Sequence, residues 1–278
     1  TLASDDIVSF LSRTAIIPKY GFPVDVVELD TQRIKSSEGE DISLQRDLSI
    51  AIAEFAPSSK LIANKRVWTS YGLKKVAGKE WERWWYGRCR QHNKFIRAHS
   101  RKEIDDQECC QDMKIREYID PQFGFVTNLE KPKKPTGRTA RVFTTRPYFA
   151  GFKKEGEKRQ LPGIVTLTTV SPGFMVVLCE GRRGEGFYVC GVCGAGFKKW
   201  SECKDTHKTP LGKKCVAQVE SLRPEVSLGH EFITDAIQLQ FHPSPIHNDD
   251  LLGFAYSLSY ALLEGAAEVL DIPSNNLN

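Results

Sequence analysis

Phe187-Tyr188-Val189-Cys190-Gly191-Val192-Cys193-Gly194 is a short alternating run that ends on a CxxCG knuckle. Two thiolates at that spacing can grip one Zn²⁺ at about 2.3 Å, and the glycines let backbone amides turn toward sulfur. A tetrahedral site needs two further ligands. Cys215 is one candidate, and Cys203 and His207 compete for the other place. C-x2-C-x9-C-x11-C gives four thiolates, whereas C-x2-C-x13-H-x7-C gives three thiolates and an imidazole. The softness of sulfur favours Cys203. The turn His207-Lys208-Thr209-Pro210-Leu211-Gly212 leading to Cys215 favours His207, and both stay open. Such a site, closed by four protein ligands, has no open position for water and is structural rather than catalytic.

Outward from the knuckle the pattern is β. Ile164–Val170 and Phe174–Leu178 read as strands joined at Ser171-Pro172-Gly173 as a hairpin, and Phe232–Phe241 as a further strand. After Asn248-Asp249-Asp250, apolar residues from Leu251 to Val269 recur near the 3.6-residue period, which predicts a helix ended by Pro273. Its Gly265-Ala266-Ala267 face would allow close packing. Upstream, Ser4/Asp5 suits the cap of a short helix, Pro18–Pro23 is a rigid turn, Val24–Leu29 alternates as a strand, and Arg46–Phe55 suits a short helix. The expected fold is α+β: a mixed or antiparallel sheet with embedded zinc knuckles and a C-terminal helix. Composition divides the chain into an N-terminal mixed segment (1–59), a basic and aromatic segment (60–130) and a β-rich zinc-binding segment (131–278).

A second cysteine group, Cys89-Arg90-Gln91-His92 followed by Cys109-Cys110, contains a CxxH half-site. Adjacent cysteines are awkward partners for one metal, so the bland alternative is a loop of free thiols. Eight cysteines, four of them within residues 190–215, suit metal binding better than a disulfide scaffold. Thr1–Asp6 has neither the basic region nor the apolar run of a signal peptide, and the expected compartment is the cytoplasm. No run approaches 18 apolar residues, and the missing initiator Met leads us to expect a piece of something longer.

The net charge of +4 conceals strong blocks. Residues 60–102 carry 13 Lys/Arg against 2 Asp/Glu, and residues 131–160 carry 10 against 2. Between and beyond them the chain is acidic, with 1 basic against 9 acidic residues over 216–278. Basic blocks interleaved with Trp and Tyr suit a polyanion surface, where cations neutralise phosphates and aromatic faces stack bases. The candidate contacts are Lys65, Arg66, Trp68, Tyr71, Lys74 and Lys75 in the first block. In the second they are Lys133, Lys134, Arg138, Arg141 and Arg146. Tyr86 is a further stacking candidate. Trp81, Trp84 and Trp85 could equally pack a helix inward.

No phosphate-binding GxxxxGK[ST], HExxH, GxSxG or GxGxxG motif is present, so an enzyme is not expected. A hydrolase built on His230, Glu231, Asp235 or His242 would need them around an open metal position.

Several phrases occur together: IIPKYGFPVDVV (16–27), YIDPQFGF (118–125), PTGR (135–138), the CxxCG knuckle with HKTPLGKKC, LGHEFITD (228–235) and YALLEGAA (260–267). With them the chain resembles the helicase-associated zinc-binding C-terminal (MZB-like) family of Hrq-/Mrf-type DEAD/DEAH-box helicases. The nearest likeness is to the stand-alone version in the DISARM anti-phage system. The resemblance implies a DNA-binding accessory region working with an ATP-dependent helicase, in cis or as a separate subunit, in antiviral defence. The family's first knuckle usually reads CxxC…CxxC, where this chain has Cys89xxHis92…Cys109-Cys110. The family also continues past the last helix into a glycine-rich segment and more cysteines, so the resemblance implies a truncated domain. A rival expectation is a scaffold that docks a helicase subunit without touching nucleic acid.

Overall fold

The computed structural model describes residues 25–31, 42–89, 91–92, 94–107, 109–137, 142–153, 155–161, 165–202, 207–216, 221–241 and 251–271. The helix after Ser4/Asp5, the Pro18–Pro23 turn and Pro273 lie outside them. The fold is α+β and rich in sheet.

The Val24–Leu29 alternation becomes β1 (Val26–Asp30), with Val27 and Leu29 buried. β2 (Gln45–Asp47) pairs antiparallel with it. Asp47 then caps α1 (Leu48–Glu54): its carboxylate accepts from Ser49 N at 2.9 Å, and Leu48, Ala51 and Ile52 are buried. β3 (Lys60–Ala63) and β4 (Arg66–Leu73) form a hairpin. Its turn residues Asn64 and Lys65 have φ of 46° and 56°, as a two-residue turn matched to strand twist requires.

β5 (Arg83–Cys89) and β6 (Lys94–Ala98) form the next hairpin, closed by the Cys89–Lys94 pair. Ser100 and Glu103 make a reciprocal cap on the single turn α2 (Arg101–Asp105). β7 (Lys114–Ile119) runs antiparallel to β5, and the Pro121–Gly124 turn leads into β8 (Phe125–Thr127). The remaining elements are β9 (Arg146–Phe152), β10 (Glu155–Leu161), β11 (Val165–Cys179), β12 (Phe187–Cys190), β13 (Gly196–Phe197), β14 (Leu222–Phe241) and α3 (Leu251–Leu270).

One sheet has the order β2-β1-β8-β4-β3; the other runs β10-β11-β14-β7-β5-β6, with β9 also on β11 and β12 on β14. The β1–β8 and β14–β7 pairs are parallel, which makes both sheets mixed. By contacts the chain divides into two compact units, Thr1–Lys154 with Ser171–Ala236 and Glu155–Val170 with Ile237–Asn278, each assembled from discontinuous stretches. The main core lies in the first unit, where Leu29, Ile52, Phe55, Trp68, Leu73, Phe125, Phe187 and Leu228 are buried together.

Three expectations about local structure change. Ser171-Pro172-Gly173 is not a hairpin turn but lies within the single strand β11. β10 pairs with Val165–Val170 and β9 with Gly173–Leu178, so Pro172, which has no N–H to give, sits where the partner strand changes. Trp84 and Trp85 are strand residues on opposite faces of β5, not a helix face. At Gly265 of α3 the expected close packing is absent: a Cβ added there would meet nothing within 4 Å, while Ala266 and Ala267 are half-buried. Phe254, Tyr256, Tyr260, Leu262, Val269 and Leu270 of this helix are exposed. No helix among the described residues is long and apolar enough to cross a membrane.

Candidate metal centres and basic surface

β12 delivers Cys190 at its last position, and a tight turn returns Cys193 to the same point, with Gly194 N donating to Cys190 O at 2.8 Å. The other two members come from a closed loop. Cys215 N donates to His207 O at 2.9 Å, Lys208 pairs with Lys214, and Gly212 N donates to Thr209 O. The loop base therefore points His207 and Cys215 at the knuckle. Ligand atoms of Cys190, Cys193, His207 and Cys215 all lie within 4.8 Å of one another. Cys193 Sγ is 3.3 Å from His207 Nε2, and Cys190 Sγ is 3.9 Å from Cys215 Sγ. Donors around a tetrahedral Zn²⁺ stand roughly 3.3–3.8 Å apart, the edge length set by bonds of about 2.0–2.3 Å. His207, buried against Phe197, thus supplies a fourth donor at the knuckle, while Cys203 lies outside the described residues.

The second group is equally well gathered. Cys89 ends β5, His92 lies in the β5–β6 turn, and Cys109 and Cys110 follow α2. Cys89 Sγ stands 3.3 Å from both His92 Nδ1 and Cys110 Sγ; Cys109 Sγ is 3.6 Å from His92 Nδ1 and 3.9 Å from Cys110 Sγ. Adjacent cysteines serve here because they sit in a bend rather than a strand, where successive side chains would diverge. All these sulfur separations exceed a disulfide bond of about 2.05 Å. Among the described residues, these two Cys₃His groups are the ones whose donor atoms could hold a metal ion.

Electrostatics supports the same use. The Cys193 side chain, opposed by burial and helped by the Cys193 and Val192 amides, lowers the Cys190 thiol to about 5, while Cys193 itself is pushed up by sharing a proton with Cys190. The His92 amide lowers Cys89 to about 6, and burial followed by Cys89 raises Cys109 to about 11. In each group one thiolate forms easily and its neighbour resists, the behaviour of sulfurs crowded closely enough to share one cation.

The Cys190 knuckle docks backbone to backbone on the end of β4. Leu73 N donates to Gly194 O at 2.8 Å, and Gly72 pairs with Ala195. A Cβ at Gly72 would lie 2.1 Å from Gly194 O, so the approach requires glycine there. Tyr71 tightens the joint, donating to Lys208 O at 2.6 Å and packing edge-on against Phe197.

The basic candidates separate into groups. Val67 N donates to Lys133 O at 2.8 Å, an antiparallel bridge that sets Lys65 and Arg66 beside Lys133 and Lys134, with Lys65, Lys133 and Lys134 exposed. Lys74 and Lys75 lie at the other end of β4, paired with Asp30 at 3.4 Å and Glu80 at 2.6 Å, and Lys75 also covers Trp81. Arg146 is exposed at the start of β9, and Arg138 and Arg141 lie outside the described residues.

The expected base-stacking role fails for Trp68 and Tyr86, which are buried, whereas Tyr71 is half-exposed. Trp68 is 1% exposed and gives its indole N–H to Ala63 O. Tyr86 is equally buried, bonded to Ser227, and Tyr71 is committed to the metal loop. Strand parity turns Trp68 and Tyr86 inward, which composition does not record.

Nor do the hydrolase candidates converge. His230 lies between Asp25 and Asp120, Asp235 accepts from Ser171, Glu231 pairs with Arg97, and His242 is outside the described residues. Sequence reasoning missed the ionic link through His230, because its partners come from chain positions 25 and 120 with no local spacing to mark them. No family model, curated protein or solved structure matches the chain.

Proposed function

We propose that this chain is a non-catalytic, zinc-stabilised nucleic-acid-binding module, with the Val67–Lys133 bridge as the observation that carries the reading. That one pairing brings cations from both basic blocks together, with Lys65, Lys133 and Lys134 exposed and Arg66 half-buried beside them. Pooled cations displace counterions from a polyanion, and the affinity they supply is independent of sequence. Zinc is the fitting ion for two Cys₃His groups with tetrahedral edge lengths. Cys190, Cys193, His207 and Cys215 would hold one ion, and Cys89, His92, Cys109 and Cys110 another. Four protein ligands each leave a structural role, and reduced thiolates suit the cytoplasm. The DNA partner, the ATP-dependent DEAD/DEAH-box helicase and the anti-phage setting rest on the sequence phrases that resemble the helicase-associated zinc-binding family.

The test is a fluorescence-anisotropy titration of the metal-loaded protein with a DNA oligonucleotide at rising salt. Affinity should fall steeply with salt, and combining Lys65→Gln, Lys133→Gln and Lys134→Gln should weaken binding at least about tenfold and flatten the salt slope by about 2–3. No binding at low salt by the folded protein overturns the reading. The alternative, a docking scaffold for a helicase subunit, is favoured by the exposed Phe254, Tyr256 and Tyr260 of α3.

A further inference from the structure

A second cationic site lies away from the hairpin cluster, on residues that neither basic block singled out as contacts. Arg88 and Lys114 face each other across the β5–β7 ladder, as do Tyr86 and Arg116 two pairs along, so all four side chains share one face. At the edge of that face the chain leaves β11 through a tight loop. Gly186 N donates to Glu180 O at 2.8 Å, and a Cβ at Gly181 would lie 2.6 Å from Gly186 O. The loop is pinned to the sheet by Arg116, which donates to the Gly184 carbonyl. Its tip carries Arg183 in a left-handed conformation, φ 56°, exposed beside the sheet face. Tyr86, Arg88, Lys114, Arg116, Glu180, Arg183 and Gly184 thereby line a single cleft.

The charges in that cleft do not balance. Among the described residues that line it the only carboxylate is Glu180, and Glu180 is already engaged: Arg88 donates to it at 2.8 Å, with the Tyr86 and Tyr148 hydroxyls at 3.4 and 3.5 Å. Glu225 approaches Arg116 only at 4.0 Å and is itself mostly exposed. Lys114 and Arg183 have no acidic partner among the described residues. Cations converging on a partly enclosed cleft repel one another unless an anion enters, and the planar guanidinium fork matches the oxygens of a phosphate.

We propose that this cleft binds a phosphate group of a nucleic-acid strand, with Lys114 and Arg183 as direct contacts and Arg116 holding the loop that presents Arg183. Glu180 orients Arg88 toward the cleft and neutralises it in the free protein. The inference rests on the nucleic-acid reading above and adds a second place where the strand is held.

The test compares two double variants of the metal-loaded protein on one single-stranded DNA oligonucleotide, with thermal melting as the control for folding. Lys114→Gln with Arg183→Gln removes two exposed cations and leaves the Arg88–Glu180 pair intact. Binding should weaken by roughly tenfold and the salt slope should flatten by about 1–2, with melting unchanged. Unchanged affinity in this variant, together with loss in Lys133→Gln with Lys134→Gln, overturns the cleft and leaves the hairpin reading standing. Loss in the cleft variant alone supports the cleft and moves the strand off the hairpin. Wild-type protein that binds no DNA at low salt overturns both.

Discussion

His230 is almost fully buried, with Nε2 3.3 Å from Asp25 and Nδ1 3.7 Å from Asp120. Neither contact has in-line hydrogen-bond geometry, so the attraction is that of an ion pair on each side of the ring. Burial works against the charge, but the Asp120 and Asp25 carboxylates outweigh it and raise the imidazole from 6.5 to about 9. The link joins the start of β1 in one sheet to β14 and the end of β7 in the other. Because the folded value is raised, the stabilisation is complete below the unfolded value near 6.5 and is lost as pH climbs through about 9. Denaturant melts from pH 6 to 10 should show a decline of roughly 3 kcal/mol that His230→Gln lacks. A variant with the same pH slope as wild type would remove His230 as the cause. Glu231, whose carboxyl burial pushes up beside the same strand, is the nearest competitor for that slope and makes Glu231→Gln the natural control.

Among the elements, β4 has the strictest packing. Gly72→Ala would drive a methyl group into the Gly194 carbonyl, which is backbone and cannot rotate away. It should cost about 1–3 kcal/mol and weaken metal binding at the candidate Cys190 centre, whereas Gly137→Ala, with open space around it, should shift melting by less than about 0.5 kcal/mol. Equal melting temperatures for the two variants would contradict the docking. The same strand marks how far the sequence could be read. The knuckle, β1, β12 and the long C-terminal helix were legible because each is written in a few neighbouring residues: a CxxCG, an alternation, a 3.6-residue period. What brings His207 to the cysteines is the closure of the 207–215 loop onto the knuckle, a tertiary fact. Trp68 and Tyr86 misled for a related reason. Their basic neighbours suggest a surface, but the side each faces depends on which strands pair with β4 and β5. Ser171-Pro172-Gly173 misled because a turn composition also suits a strand that changes partners.

At the scale of the whole molecule, the two metal groups differ in shelter. Cys190, His207 and Cys215 are buried, whereas His92 is exposed and Cys109 and Cys110 are half-buried. Protein purified with zinc should carry two equivalents, and a chelator should strip them in two phases, the Cys89 group first. His92→Ala should leave one equivalent and abolish the fast phase; retention of two equivalents would refute the assignment of His92. Cys203→Ala should leave both, since His207 already completes the tetrahedron.

β4 joins the proposed metal and polyanion sites mechanically. Its first residue follows the hairpin that carries Lys65, and its last is clamped to the knuckle through Leu73 and Gly194, roughly 25 Å away. A strand of that length, paired on both sides, acts as a strut: an ion that immobilises one end lowers the cost of ordering the other. Linkage then works in both directions, so a bound polyanion would tighten the equilibrium affinity for the metal by the same factor that the metal strengthens polyanion binding.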